Sequence, residues 1–207
     1  MRSAPQLPNN WFLRCLFAIR CARTGRIGDF ALLKADLFGS RPSTAARAKL
    51  APLAGYRPNI DLAKLSTLPV NTFGRAYAQW MQSKKLAPIT ISPELAGLAD
   101  QNVLAVRYLS THDMFHVLTG FDTSLAGEIG VLGFARAQNY AFVHRIALAL
   151  ATVLYPVWRP LKLKEILAAK RKGLKMGHKA VFLLGERLEE NFEKDLDAYR
   201  KQLHISR

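Results

Sequence analysis

The chain has 207 residues, half of them hydrophobic, and carries 30 Lys or Arg against 15 Asp or Glu, for a formal net charge of +15. That length and apolar content exclude a mainly disordered chain and suit one folded domain with a sizeable core. The charge calls for an anionic partner, and with no zinc finger or recognisable nucleic-acid module in the sequence, an anionic membrane surface is expected and nucleic acid is not.

Residues 1–26 are basic and contain no acid. They resemble a mitochondrial presequence in charge, but Ser is scarce and they are read as part of the mature protein. Within them, Trp11 to Ala22 follows Asn9 and Asn10, either of which can cap a helix. Large apolar residues beside Arg14, Arg20 and Arg23 suit an interfacial amphipathic helix, or equally a peripheral helix packed on the domain. Cys15 and Cys21 fit neither a disulfide framework nor a thiolate metal site. The expected organisation is this N-terminal segment, 1–26, followed by a single all-α body over 27–207.

Along the body, Ile27 to Phe38 and Ser43 to Leu53 read as helices, each closed by Gly and Pro. Asn71 to Leu86 carries Phe73, Tyr77, Trp80 and Met81 at near-helical spacing, a core stripe. Ile89-Thr90-Ile91 is the only strand-like run, too short to make a sheet. A helix is expected from about Asn102, with Val103, Val106, Leu109 and Met114 among its buried positions. Ile146 to Trp158 is apolar for thirteen residues and ends before Pro160, too short to span a bilayer. Its stretch to Tyr155 is apolar on every side, which predicts burial in protein or lipid. His144, just before it, is read as a hydrogen-bonded structural histidine.

Pro160 suits the first turn of a helix reaching about Leu184. Arg159 to Lys179 holds eight Lys or Arg and one acid, Glu165. Gly173 and Gly177 stand four apart, a spacing that admits close approach of another helix or a lipid chain. Glu186 to Leu203 is expected as a charged helix with Leu188, Phe192, Leu196 and Tyr199 facing inward. The sum is a compact all-α bundle of seven to nine helices.

The chemistry concentrates in Thr111–Glu128. His112 and His116 lie one helical turn apart, and Asp113 falls with them within an arc of about 100°. Gly120 is a helix stop, and Asp122, Thr123 or Ser124 can cap the next helix, placing Glu128 where it can face back across the hairpin. Two imidazoles and two carboxylates, His112, Asp113, His116 and Glu128, form a set suited to a divalent ion of the zinc, iron or manganese type. A zinc-protease helix needs Glu directly after its first His; Asp113 stands there instead, which disfavours a protease. Arg107, five residues before His112, is the candidate to reach a substrate carboxylate, although most arginines lie at the surface.

His-Asp-x-x-His, eleven residues, then Glu resembles the signature of the ubiquinone biosynthesis family called coenzyme Q protein four. Arg107-Tyr108, His116 to Gly120, Gly127-Glu128-Ile129, Gly173 to Leu184 and Glu189-Glu190 agree with it, and the similarity runs from about Gly28 to Ile205. The resemblance implies removal of the ring carboxylate from a polyprenylated 4-hydroxybenzoate intermediate, with hydroxyl taking its place in the oxidative version. It equally implies an alternative, a lipid-binding scaffold with a structural metal that gathers other ubiquinone biosynthesis proteins. Zinc is the first expectation for the metal; iron or manganese becomes more suitable if oxygen enters the step. The expected location is the cytoplasmic face of a bacterial inner membrane, or the matrix side of the mitochondrial inner membrane in a eukaryote, and a homo-oligomer is compatible with all of this.

Overall fold

The computed structural model describes residues 10–206 and all their side chains except those of Pro156 and Trp158. The protein is all-α, with eleven α-helices and no strand among the described residues. The helices are α1 Trp11–Arg23, α2 Ile27–Leu37, α3 Thr44–Leu50, α4 Leu62–Leu65, α5 Phe73–Ser83, α6 Ala96–Gln101, α7 Val103–Thr119, α8 Leu125–Ala137, α9 Phe142–Trp158, α10 Leu163–Lys179 and α11 Leu196–Gln202. Starts follow capping chemistry: side chains of Asn10, Ser43, Asp61, Thr72, Asn102, Ser124 and Asp195 each accept an N–H from the first turn of the helix that follows.

The count exceeds the expected seven to nine because α3, α4, α6 and α11 are only one or two turns long. Two C-terminal boundaries also differ from expectation. The helix expected to run from Pro160 to Leu184 opens with a 3-10 turn, Pro160–Lys162, and stops at Lys179. The single helix expected over Glu186–Leu203 is instead a 3-10 turn, Leu188–Asn191, followed by α11. Its backbone bonds elsewhere: the carbonyls of Lys194 and Phe192 accept the N–H groups of Phe73 and Gly74, both at 2.8 Å, and Leu196 N–H donates to Asn71 at 2.9 Å. Pairing with the start of α5 replaces a helical turn. The expected inward face survives, with Leu188 and Tyr199 buried and Phe192 packed on Phe73 and Tyr77.

The main core gathers α5, α7, α8 and the C-terminal segment around Phe73, Tyr77, Met81, Met114, Phe115 and Phe134. A second cluster joins α1 and α2 to α6 and α7 through Ala18, Cys21, Leu32, Leu33, Leu98 and Val106. Of the expected N-terminal segment, residues 1–9 lie outside the described residues; α1 buries Ala18 and Cys21 and leaves Trp11, Phe12, Leu13, Leu16 and Ile19 exposed.

Helices α8 and α10 approach to backbone contact. A Cβ at Gly173 would stand 2.0 Å from the Gly130 carbonyl oxygen, and one at Gly177 would stand 2.5 Å from that of Phe134. The glycine spacing in α10 therefore serves a protein neighbour. Helix α9 lies against α8 through Leu148 and Ala151, which cluster with Ile129 and Ile166. Its other face is open: Phe142 is 66%, Val153 65% and Val157 73% exposed, with Ile146, Leu150 and Leu154 between them. The run that reads as apolar on every side is thus buried on one side only. No single described helix is long and apolar enough to cross a membrane.

The glycine contact is testable. Gly173→Ala is expected to destabilise by about 1–3 kcal/mol in chemical denaturation, because backbone must give way, whereas Gly97→Ala, whose new Cβ meets nothing within 4 Å, should change stability by less than about 0.5 kcal/mol. Equal effects would contradict the α8–α10 packing.

Candidate metal centre

Helix α7 projects His112 and His116 from one face, and a sharp turn returns the chain so that the first turn of α8 offers Glu128 to both. Gly120 ends α7 with φ of +75°, a conformation that favours glycine. Asp122 Oδ1 accepts the N–H and hydroxyl of Ser124, and Ser124 Oγ accepts the N–H of Gly127. A Cβ at Gly127 would sit 2.0 Å from the Asp122 carbonyl oxygen, so the turn can close this tightly only over glycine.

The result is a convergence of three groups. Ligand atoms of His112, His116 and Glu128 all lie within 4.8 Å of one another. Glu128 Oε1 is 3.4 Å from His116 Nε2, and Oε2 is 3.8 Å from His112 Nε2. Donors held about 2.0–2.1 Å from a zinc ion are about 3.4 Å apart at tetrahedral angles, so the set fits a divalent ion with small side-chain adjustments. His116 is buried, and its Nδ1 donates to the Phe121 carbonyl at 3.0 Å, which orients the ring with Nε2 toward Glu128.

Electrostatics ties the three together. Burial opposes protonation of His116, but the hydrogen bond and charge of Glu128 outweigh it and raise its pKa above the ordinary value. Burial likewise pushes Glu128 up, and His116 more than reverses the shift. His112 is held below the ordinary range by burial and by the neighbouring His116. Two imidazoles of opposite bias beside one ionised carboxylate form a site ready to exchange a proton for a cation.

Asp113, expected as a fourth ligand, is not among the converging atoms. One step round the helix carries it toward α5, where its charge acts on Tyr77; burial raises its own pKa, against the pull of both histidines. Arg107, expected as the residue reaching a substrate carboxylate, is engaged with the protein itself. Its guanidinium is buried in an ion pair with Glu189, N–O 2.7 Å, with side chains 1% and 3% exposed, and it also donates to the Glu186 carbonyl at 2.8 Å. It ties the C-terminal segment to α7. His144 is buried on α9 with the Ala141 carbonyl beside its imidazole, and burial lowers its pKa to about 4.

Three contributors were missed in sequence. Trp80, read as core, stacks on His116 with centroids 5.2 Å apart and planes at 17°. Arg200 donates to the carbonyls of Val117 and Leu118 at 2.7 and 3.0 Å, satisfying the C-terminal end of α7. Tyr108 packs edge-on against His112 at 5.5 Å. Only the position of Tyr108, one turn before His112, carried a local signal; Trp80 and Arg200 come from distant segments.

A family model described as "Coenzyme Q (ubiquinone) biosynthesis protein Coq4" matches residues 56–207. The chain is similar to the mitochondrial ubiquinone biosynthesis protein COQ4 homolog of Rattus norvegicus, 30% identical over 156 residues, covering 71% of this chain and 55% of that one. To mitochondrial COQ4 of Saccharomyces cerevisiae it is 29% identical over 165 residues, covering 72% and 46%. The chain thus spans about half the length of the curated relatives it matches. A crystal structure from Nostoc punctiforme, of a protein described under ubiquinone biosynthesis, shares the fold with a TM-score of 0.66 at 20% identity, covering 98% of this chain and 100% of that one.

Two substitutions separate site from scaffold. His116→Ala should lose the bound ion, measured by elemental analysis of purified protein. Glu189→Ala should keep it while losing about 3–5 kcal/mol of stability, the cost of leaving a buried charge unpaired. Metal loss in Glu189→Ala at full helicity would return Arg107 and Glu189 to the site.

Proposed function

This chain belongs to the Coq4 family of ubiquinone biosynthesis proteins, and from that premise we propose that it is a metal-dependent decarboxylase acting on a polyprenylated 4-hydroxybenzoate intermediate at a membrane surface. The observation that carries the reading is the convergence of His112, His116 and Glu128 on one point beside a helix with an open apolar face.

His112, His116 and Glu128 would hold the ion. When bound, a divalent metal supplies positive charge for a carboxylate or phenolate oxygen and for the negative charge that develops in the ring as carbon dioxide leaves. Three protein donors leave coordination positions free for substrate, which favours the catalytic reading over a scaffold with a closed structural metal. Two histidines and one carboxylate are also the donor set of non-haem iron oxygenases, so the oxidative version, in which dioxygen serves as oxidant and hydroxyl replaces the carboxylate, points to iron or manganese; zinc serves only the redox-neutral version. The chain's own residues do the positioning: Glu128 and the Phe121 carbonyl orient His116, Trp80 covers its ring, and Arg200 secures the end of the helix that carries both histidines.

The membrane part rests on α9 and α10. Phe142, Ile146, Leu150, Val153 and Val157 form an exposed apolar stripe along α9. The chain from Arg159 to Lys179 that follows carries eight cations and one acid. An apolar face next to a basic helix is complementary to an anionic leaflet: each cation near such a surface contributes about 1 kcal/mol, decaying within a Debye length of about 8–10 Å, while apolar insertion is little affected by salt. A prenyl tail, too apolar for water at ~0.8 kcal/mol per buried CH₂, would then reach the site from lipid.

The catalytic reading is tested by carbon dioxide release from prenylated 4-hydroxybenzoate, with the protein loaded in turn with Zn²⁺, Fe²⁺ or Mn²⁺, in air and without oxygen. Activity with at least one ion and its fall to background in Glu128→Ala are expected; an intact, metal-loaded protein inert under every condition would leave the scaffold reading standing. For the membrane part, flotation should show binding to anionic but not neutral vesicles, partial release in high salt, and loss of binding in Leu150→Asp/Val153→Asp. Unchanged binding by that double variant would remove α9 from the membrane contact.

A further inference from the structure

Away from the ligand cluster, a cavity of about 490 Å³ lies between the loop that follows α2, helix α3 and the start of α7. Its polar lining comes from Asp36, Ser40, Arg41, Arg47, Gln101 and Asn102, with the buried Leu50 and Leu104 on its apolar side. The charge balance is positive. Asp36 is the only acid among the described lining residues, and Arg14 neutralises it across 2.8 Å. Arg41 and Arg47 remain, both exposed, and neither guanidinium has an ion-pair or hydrogen-bond partner among the described residues. One unpaired surface arginine is ordinary. Two on one concavity, whose single acid is already taken, ask for an anion.

The backbone that carries them is held in place. Ser40 N–H donates to the Ala35 carbonyl and Ser43 N–H to the Tyr140 carbonyl, both at 2.9 Å, and Pro42 pairs with Ala141, so Arg41 sits between fixed points. Arg47 stands on α3, which Ser43 caps. The opening of α7 adds donors. Asn102 N–H is taken by the Leu98 carbonyl at 3.0 Å and Ala105 N–H by the Asn102 side chain at 3.2 Å. The N–H groups of Val103 and Leu104, two lining residues, have no acceptor among the described residues. This donor set defines the occupant. A carboxylate brings two oxygens and one charge, whereas a phosphate group brings more of both and is matched by paired guanidinium forks. The volume exceeds what a bare ion needs and falls in the range of small-ligand sites, about 300–1,000 Å³. The phosphate therefore enters as an ester.

We infer that this cavity binds the phosphate group of a phosphate ester, with Arg41 and Arg47 as the residues that hold it. The arginines carry the assignment, and the opening turn of α7 supplies further donors. The same chemistry is offered by a soluble phosphate ester and by a phospholipid headgroup. The surroundings suit the second source as well as the first: the pairing of Pro42 with Ala141 sets the loop one residue from Phe142, where the exposed apolar stripe of α9 begins. The site uses none of the three metal-ligand residues, so it stands or falls separately from the decarboxylase reading.

Two probes on the full chain test it. Calorimetric titration with glycerol 3-phosphate, beside acetate as the carboxylate control, reads the free ester. Flotation with phosphatidylcholine vesicles containing phosphatidic acid reads the headgroup. Arg41→Gln/Arg47→Gln is compared with Lys64→Gln/Lys201→Gln, the same charge change at exposed lysines outside the cavity and outside α9 and α10. Binding of at least one probe should fall tenfold or more in the arginine variant, the scale of lost charge-assisted hydrogen bonds, and less than about twofold in the lysine variant. The probe that responds names the source. Arg41→Lys/Arg47→Lys, which keeps the charges but not the forks, should recover only part of the affinity. Because both arginines are exposed, the variants should unfold at the wild-type temperature, which separates loss of binding from loss of fold. A fall in neither assay beyond that of the lysine variant would overturn the inference and leave a solvated basic face, and acetate bound as tightly as the ester would overturn the choice of phosphate.

Discussion

The arrangement of this protein depends on the turn between α7 and α8. Seven residues after Gly120 the chain is already in a helix facing the one it left, and the turn closes to that radius because Gly127 presents no Cβ to the Asp122 carbonyl, 2.0 Å from where one would lie. Everything chemical follows from that closure. It brings Glu128 within 3.4 Å of His116 and 3.8 Å of His112. It also fixes the direction of α8, onto which α10 is then pressed through glycine-to-backbone contacts at Gly173 and Gly177. Helix α7 is secured independently at both ends of its functional half, by the buried Arg107–Glu189 pair and by Arg200 on its last carbonyls. The C-terminal segment therefore serves the site without entering it.

Much of this was legible in the sequence, because the signals were local. Asn102, Gly120 and Ser124 are short-range punctuation, and they delimit α7 and α8 as their capping chemistry says they should. The four-residue spacing of the histidines and the capped turn before Glu128 were enough to anticipate that these three side chains converge. Asp113 lies within the same arc as the histidines, and its spacing did not show that its carboxylate stays outside the converging group. Arg107 is a similar case. A charged residue near a motif reads as functional, and its partner Glu189 lies 82 residues away. The C-terminal helix was overestimated because inward periodicity at Leu188, Phe192 and Tyr199 survives a break in the backbone, and the break itself is caused by hydrogen bonds to Asn71, Phe73 and Gly74.

Two features of the fold underlie the proposed membrane-surface function. Its His112–His116–Glu128 cluster is half open, with His112 and Glu128 partly exposed while His116 is enclosed between Trp80 and the Phe121 carbonyl. Its long helix α9 joins the site to the surface, with His144 on the inner side near Tyr108 and an apolar stripe on the outer side. Phe142, Leu150, Val153 and Val157 form a larger exposed apolar patch on one helix than most soluble surfaces carry. Placed together, the two features are what the proposed action on an apolar-tailed substrate at a membrane surface requires.

Anomalous diffraction at the zinc edge from crystals of zinc-loaded protein examines the centre most directly. The account requires one peak per chain, about 2.0–2.2 Å from His112 Nε2, His116 Nε2 and a Glu128 oxygen, with Asp113 uncoordinated and at least one position open to solvent. A peak closed by Asp113 as a fourth protein ligand would favour a structural metal, and no peak between these residues at full zinc occupancy of the crystal would contradict the metal centre itself.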